Sequence, residues 1–259
     1  MAPQAQPAAP QAQPPAPQAQ PPVTLFSGLD LGQAHDPTAL AVLERSLVQH
    51  KARKAFSYVV RHLERFPIGT AYTAICDRMA LIFGKPPLLG TMLVVDRTGV
   101  GRAVVDMLAR AMAPAPETMR ALQSKHKLRT VPLILATLRG VSITSGQHAN
   151  PADGGGWNVP KRDLVGVLKV LMQSNRLKIV PSLPEAATVI KELQNFKVKI
   201  TAAQNETYEA WREGDYDDLV LAIAIAVWQA ERTPEQLVHK APGIISSGRG
   251  LGIPPEFWR

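Results

Sequence analysis

The 259 residues carry 29 Lys and Arg against 21 Asp and Glu, a formal net charge of +8, and 46% of them are hydrophobic, enough for a full core. A basic balance of this size suits a polyanionic partner, although a generically solvated surface would give the same count. The single cysteine, Cys76, excludes an intrachain disulfide and any CxxC metal site, and fits a reducing cytoplasm.

In chain order, residues 1–22 are almost entirely Pro, Gln and Ala in PQAQP repeats. Such a segment has nothing to bury, so a disordered or polyproline-like tail is expected. It has neither the basic start nor the apolar run of a signal peptide. The rest is long enough for one α/β domain, placed at 23–235, with an irregular extension at 236–259.

Val23 to Leu31 reads as a strand ending in a Gly/Asp turn. Leu40 to Leu43 and Phe56 to Leu63 are further β-rich segments, separated by a charged turn around Gln49 to Lys54, which together predict an antiparallel meander. Thr70 to Phe83 has helical spacing and stops before Gly84. Thr91 to Val95 is a short apolar run leading into Asp96, as expected of a central strand buried on both faces. A helix is predicted over Gly101 to Met112, a strand over Val131 to Ala136, and a flexible glycine-rich loop over Asp153 to Gly156.

Lys161 to Ser174 places Leu164, Val167, Leu168 and Leu171 on one helical face. A second amphipathic helix is expected from Pro184 to Asn195, with Ala187, Ile190 and Leu193 as its apolar stripe. A last helix is expected from Asp217 to Glu231, in which Ala222, Ala224 and Ala226 are small enough to let it lie close against a sheet. Its run Leu219 to Trp228 is about half a membrane span and reads as buried, so no membrane partner is expected. A meander followed by alternating helices and strands predicts an α/β fold, a mixed sheet with helices on both faces.

Three acidic positions end or begin core elements. Asp30 ends the first strand, Asp96 ends the central strand, and Asp217-Asp218 opens the last helix. Carboxylates converging on one sheet edge repel unless cations lie between them, and hard oxygen ligands select Mg²⁺ or Mn²⁺. Two such ions about 3.5–4 Å apart hydrolyse phosphodiesters without a protein nucleophile. Each residue taken singly also has a local reading: Asp30 in a glycine turn, Asp96 in an Asx-turn, Asp217 as an N-cap.

The stretches GLDLGQAHDPTALAVLER, LVVDRTGVG, NVPKRDLVGVLKVLMQSNRLKIV and ELQNFKVKI…NETYEAWREGDYDDLVLAIAIAVW resemble the successive blocks of the nuclease domain of phage terminase large subunits. The resemblance implies an RNase H-like endonuclease that cuts concatemeric double-stranded DNA during genome packaging with two divalent metals, in the host cytoplasm. The family's acids fall by matching on Asp30, Asp96 and the Asp217-Asp218 pair. Tyr216 stands where the family often has His. No Walker A pattern occurs, so a packaging ATPase, a small terminase subunit or a portal is expected as a separate partner.

Secondary candidates are Lys161 and Arg162, at a helix start that could face a phosphate, and Trp157, which could stack on a base. Asp36 and Asp215 lie near the site in sequence, while His35, His62 and His126 lack ligand-like spacing. Three other readings remain open: a junction-resolving or transposase-like nuclease, an actin/sugar-kinase-like protein through Asp30-Leu31-Gly32, and a non-cleaving DNA-binding packaging module.

Overall fold

The computed structural model describes residues 23–32, 36–99, 101–113, 136–153, 155–195, 197–200, 206–209 and 216–234. β1 (Val23–Asp30), β2 (Thr38–His50) and β3 (Arg53–Phe66) form the predicted meander, turning through Lys51, whose φ is 53°. The hairpin strands outrun the apolar segments that signalled them, since β2 and β3 stay paired to His50 and Arg53 where side chains are exposed or half-buried. α1 (Tyr72–Phe83), β4 (Thr91–Asp96) and α2 (Gly101–Ala111) follow as expected.

The strand predicted over Val131 to Ala136 falls, but for its last residue, outside the described residues, and β5 instead runs Ala136–Thr144. Two further strands were not expected on this side, β6 (Asn150–Pro151) and β7 (Trp157–Pro160); the second begins directly after the predicted loop. α3 (Lys161–Gln173) buries Leu164, Leu168 and Leu171 as predicted. Then come β8 (Leu177–Ile179), α4 (Ala186–Asn195), a separate two-stranded pair of β9 (Lys197–Ile200) and β10 (Glu206–Glu209), and α5 (Asp218–Arg232).

The main sheet has the order β6-β7-β5-β4-β1-β2-β3-β8. β4 lies parallel to β1 and to β5, while the meander is antiparallel. Because successive side chains of a strand point to opposite faces, β1 and β4 each feed two cores. Phe26 and Val94 join the core under α3 and α5; Leu25, Leu29, Leu93 and Val95 join the one under α1 and α2. The fold is therefore the expected α/β one, a mixed sheet with helices on both faces.

α5 is the buried element of the first core. Its Leu219, Ala222, Ala226 and Val227 are fully buried, and it lies against β1 where Gly28 faces Ala222. Its far end is held by Arg45, a β2 side chain only 2% exposed. Arg45 Nη1 donates to the carbonyls of Ala230 and Thr233, both at 2.7 Å, and its guanidinium lies 4.8 and 4.2 Å from the rings of Phe26 and Phe56. A cation at a helix C-terminus meets the negative end of the helix dipole; here it gives the Thr233 carbonyl a donor and the Ala230 carbonyl, which already accepts from the Thr233 amide at 3.2 Å, a second one. Arg45→Met keeps the aliphatic volume but removes both bonds and the charge at the helix end, so urea unfolding should show a loss of about 2–4 kcal/mol. A change within about 0.5 kcal/mol, the scatter of ordinary surface substitutions, would show that water replaces the guanidinium.

One predicted face is corrected. In α4 the buried residues are Ala186, Val189 and Glu192, and of the predicted stripe Leu193 packs half-buried against the core while Ala187 and Ile190 are exposed, Ile190 by 45%. The helix is rotated from the apolar stripe that the sequence suggested, and the rotation carries the Glu192 carboxylate inward to an arginine of β3.

Candidate metal centre

The site is built on one row of the sheet. Across β5, β4, β1, β2 and β3 the register aligns Val141, Asp96, Asp30, Ala39 and Arg65. Residues level with one another on neighbouring strands project from the same face, and Val141 and Ala39 belong to the core beneath α5. The row therefore faces α5, and the start of that helix brings Asp217 and Asp218 over it. Asp30, Asp96 and Asp218 are 9%, 6% and 3% exposed; the Asp217 side chain is 22% exposed.

Burial is the main cause that pushes the Asp30 carboxyl well above its ordinary value, followed by the charges of Asp96, Asp217 and Asp218 and a hydrogen bond with Asp96. Asp96 is also raised by burial, against the lowering effect of two bonds from Thr98 and of the Lys161 charge. Burial likewise keeps Asp218 raised, despite its pairing with Arg65. The mutual repulsion expected of converging carboxylates is thus present, and it is concentrated on Asp30.

The local readings of these acids are now distinguishable. The amide of Gly32, in the turn after Asp30, donates to Thr38 Oγ1 at 3.0 Å rather than to Asp30. Asp217 precedes α5 but makes no capping bond; its Oδ2 instead accepts from Lys161 Nζ at 2.8 Å. Asp96 does make the Asx-type turn, since its Oδ1 accepts from the amide and hydroxyl of Thr98 at 2.8 and 2.6 Å. The Thr98 hydroxyl in turn accepts from the Ile143 amide at 2.7 Å, which ties Asp96 to β5.

Asp218 is held most firmly. Its two oxygens accept from Arg65 Nε and Nη2 at 2.9 and 2.8 Å, and Arg65 Nη2 also bonds Glu192. Thr98, Arg65 and Glu192 had not been singled out in the sequence. Thr98 sits two residues past Asp96 in an Asx-turn pattern and was within reach of local reasoning; the other two were not.

The donor set is entirely carboxylate oxygen, the chemistry that Mg²⁺ and Mn²⁺ prefer. Arg65 and Lys161 pair with Asp218 and Asp217, yet burial and the neighbouring carboxylates still hold Asp30 raised, and an ion beside it would offset that charge. Among the described residues, no three ligating side chains already close on a common point. Asp96, Asp217 and Asp218 are each turned toward a protein donor.

The remaining candidates are dispersed. Arg162 bonds the Gln147 side chain and backbone. Trp157 is half-buried and packs edge-on to Trp228 with centroids 5.9 Å apart, which ties it to the core of its own domain. Asp36 is exposed, and His62 lies beside Glu64 at 3.1 Å, away from the acidic row. Asp215, His35 and His126 lie outside the described residues. Among the described residues no helix is long and apolar enough to cross a membrane.

No family model and no curated protein matches the chain. Among solved structures, the large terminase nuclease of the thermophilic phage G20c aligns at a TM-score of 0.50 and 19% identity, over 80% of this chain and 82% of that one. This chain has the fold of a large terminase nuclease. The G20c nuclease with bound magnesium aligns at 0.49 and 21% identity, over 80% and 81%. The nuclease domain of the bacteriophage SPP1 large terminase with bound Mn aligns at 0.41 and 12% identity, over 80% and 86%. On the terminase nuclease fold of this chain, the acidic row occupies the sheet edge at the C-terminal ends of the parallel strands β1 and β4.

Proposed function

We propose that this protein is a divalent-metal-dependent DNA endonuclease of terminase type that cuts concatemeric double-stranded DNA during genome packaging. One observation carries the reading: on the fold of a large terminase nuclease, Asp30 and Asp96 lie level on adjacent strands, with the Asp217-Asp218 helix start above them. Asp30, Asp96 and the Asp217-Asp218 pair would hold two Mg²⁺ or Mn²⁺ ions. Bound there, such ions supply an activated water and charge stabilisation for the leaving oxygen.

The protein's own residues do the rest. Thr98 holds Asp96 through two bonds, so one oxygen of that carboxylate is fixed before substrate arrives. Lys161 places a positive charge beside Asp217 at the site's mouth, where a scissile phosphate would bring negative charge. Lys51, Arg53 and Lys54, exposed at the β2–β3 turn, and Lys191 on α4 offer charge to the DNA backbone. We assign the nuclease domain to 23–235, with 1–22 and 236–259 lying outside the described residues, and a cytoplasmic setting beside a packaging ATPase, small subunit or portal.

The test is a plasmid assay with Mg²⁺ or Mn²⁺, an EDTA control and the Asp96→Asn protein. Metal-dependent nicking or linearisation that vanishes in the variant supports both the activity and the site. DNA binding without cutting under any metal would favour the non-cleaving packaging module instead.

A further inference from the structure

We propose that Arg65 is a positioning residue that splits the Asp217-Asp218 pair, committing Asp218 to a buried clamp and leaving Asp217 as the carboxylate that completes the metal centre. This rests on reading the acidic row as a metal site. Arg65 stands in the same row as Asp96 and Asp30, with Ala39 between them. An alanine there lets the guanidinium pass over β2 and reach the start of α5.

The geometry is that of a fork. Nε and Nη2 take the two oxygens of Asp218 at 2.9 and 2.8 Å, which fixes direction as well as distance. Glu192 closes the clamp from behind, bonding Arg65 Nη2 with one oxygen and accepting the Val220 amide at 3.3 Å with the other. That amide is one of the unpaired donors at the start of α5. The Arg65 guanidinium also lies 5.8 Å from the Tyr216 ring, so both sides of the Asp217-Asp218 step are touched. α4 turns Ile190 to solvent and Glu192 inward, an arrangement that apolar burial alone would not select.

Asp217 is treated differently. It makes no helix cap, it is more exposed than Asp218, and its partner is the single ammonium of Lys161. A monodentate pair at the mouth can exchange partners when a metal binds; a buried bidentate pair backed by a third residue holds. Arg65 thus acts on the metal centre through Asp218, by setting where α5 begins.

Mn²⁺ titration by calorimetry on the full chain, beside thermal melts in EDTA, tests this. Asp217→Asn should lose detectable binding. Arg65→Gln, Asp218→Asn and the double variant should each weaken Mn²⁺ by a similar factor, about 10-fold or more, because they break one unit. Arg65→Lys restores charge without the fork, so it should recover the melting temperature lost in Arg65→Gln but not the affinity. Glu192→Gln, the mildest change, should fold like wild type and weaken Mn²⁺ less than Arg65→Gln.

Wild-type affinity in Arg65→Gln, or full recovery of affinity in Arg65→Lys, would overturn the clamp. So would loss of binding in Asp218→Asn as complete as in Asp217→Asn. Absence of Mn²⁺ binding in the wild-type protein would instead overturn the metal centre itself, and the clamp's role with it.

Discussion

Replacing Asp30 with asparagine is expected to end cleavage and, in the same protein, to raise the melting temperature measured in EDTA. Asp30 is 9% exposed and faces three other carboxylates. Its charge is therefore unfavourable in the folded state unless a cation offsets it. Asparagine keeps the shape and can donate to Asp96 while removing the repulsion. For a domain of this size each kcal/mol recovered raises the melting temperature by roughly 2–4 °C. Cutting should fall to the EDTA background, and added Mn²⁺ should stabilise the wild type but not the variant. A variant that melts below the wild type in EDTA would show that Asp30 is supported by groups other than the acids around it.

The same feature fixes the sign of the pH dependence. Asp30, Asp96 and Asp218 all have folded-state values above the ordinary 3.8. Between 3.8 and those raised values the folded chain binds more protons than the unfolded one, so stability falls as pH rises through the window. Metal-free protein should accordingly lose the contribution of these three carboxyls as pH rises above 3.8 and they ionise, and Asp30→Asn should flatten the slope. With Mn²⁺ present the trend should reverse, because protons compete with the ion for the same oxygens.

The second large effect is on stability alone. At Gly28→Ala the added methyl would stand 2.0 Å from the Ala222 carbonyl oxygen and 3.0 Å from Ile225 Cγ1. The obstacle is helix backbone rather than a side chain that can rotate, so α5 must move off the sheet. Overpacking of this kind costs about 3 kcal/mol or more, which corresponds to a fall of roughly 6–12 °C in melting temperature. Displacing α5 also displaces Asp217 relative to Asp30, so residual activity should fall more than the folded fraction does. A melting temperature within about 2 °C of wild type would mean that the helix slides at little cost.

Much of the scaffold was legible because it follows local rules. The meander, the central strand, α3 and the apolar last helix each declare themselves by periodicity, and Asp30, Asp96 and Asp217-Asp218 by standing where those patterns stop. The small residues of α5 foretold its close approach to the sheet, although the partner glycine did not reveal itself. What escaped depends on contacts far apart in sequence. Arg65 lies 153 residues from Asp218 and 127 from Glu192, and nothing local separates it from Arg53 or Arg61 on the same strand. Arg45 resembles any charged strand residue until the end of α5 is placed 185 residues away. In α4 the apolar stripe misled because one buried ion pair outweighed an isoleucine. β7 and β8 are too short to show a period of their own.

The register of β1 and β4 also bears on control. Asp30 and Asp96 are locked level on neighbouring strands about 4.8 Å apart, by backbone hydrogen bonds rather than by a loop. A pair fastened this way keeps its spacing whatever the loops around it do, whereas Asp217 has to give up Lys161 before it can join the same ion. On the proposed nuclease reading, restraint over cutting is then exercised on delivery: on whether a duplex is fed to that edge, and on whether the ions are present when it arrives.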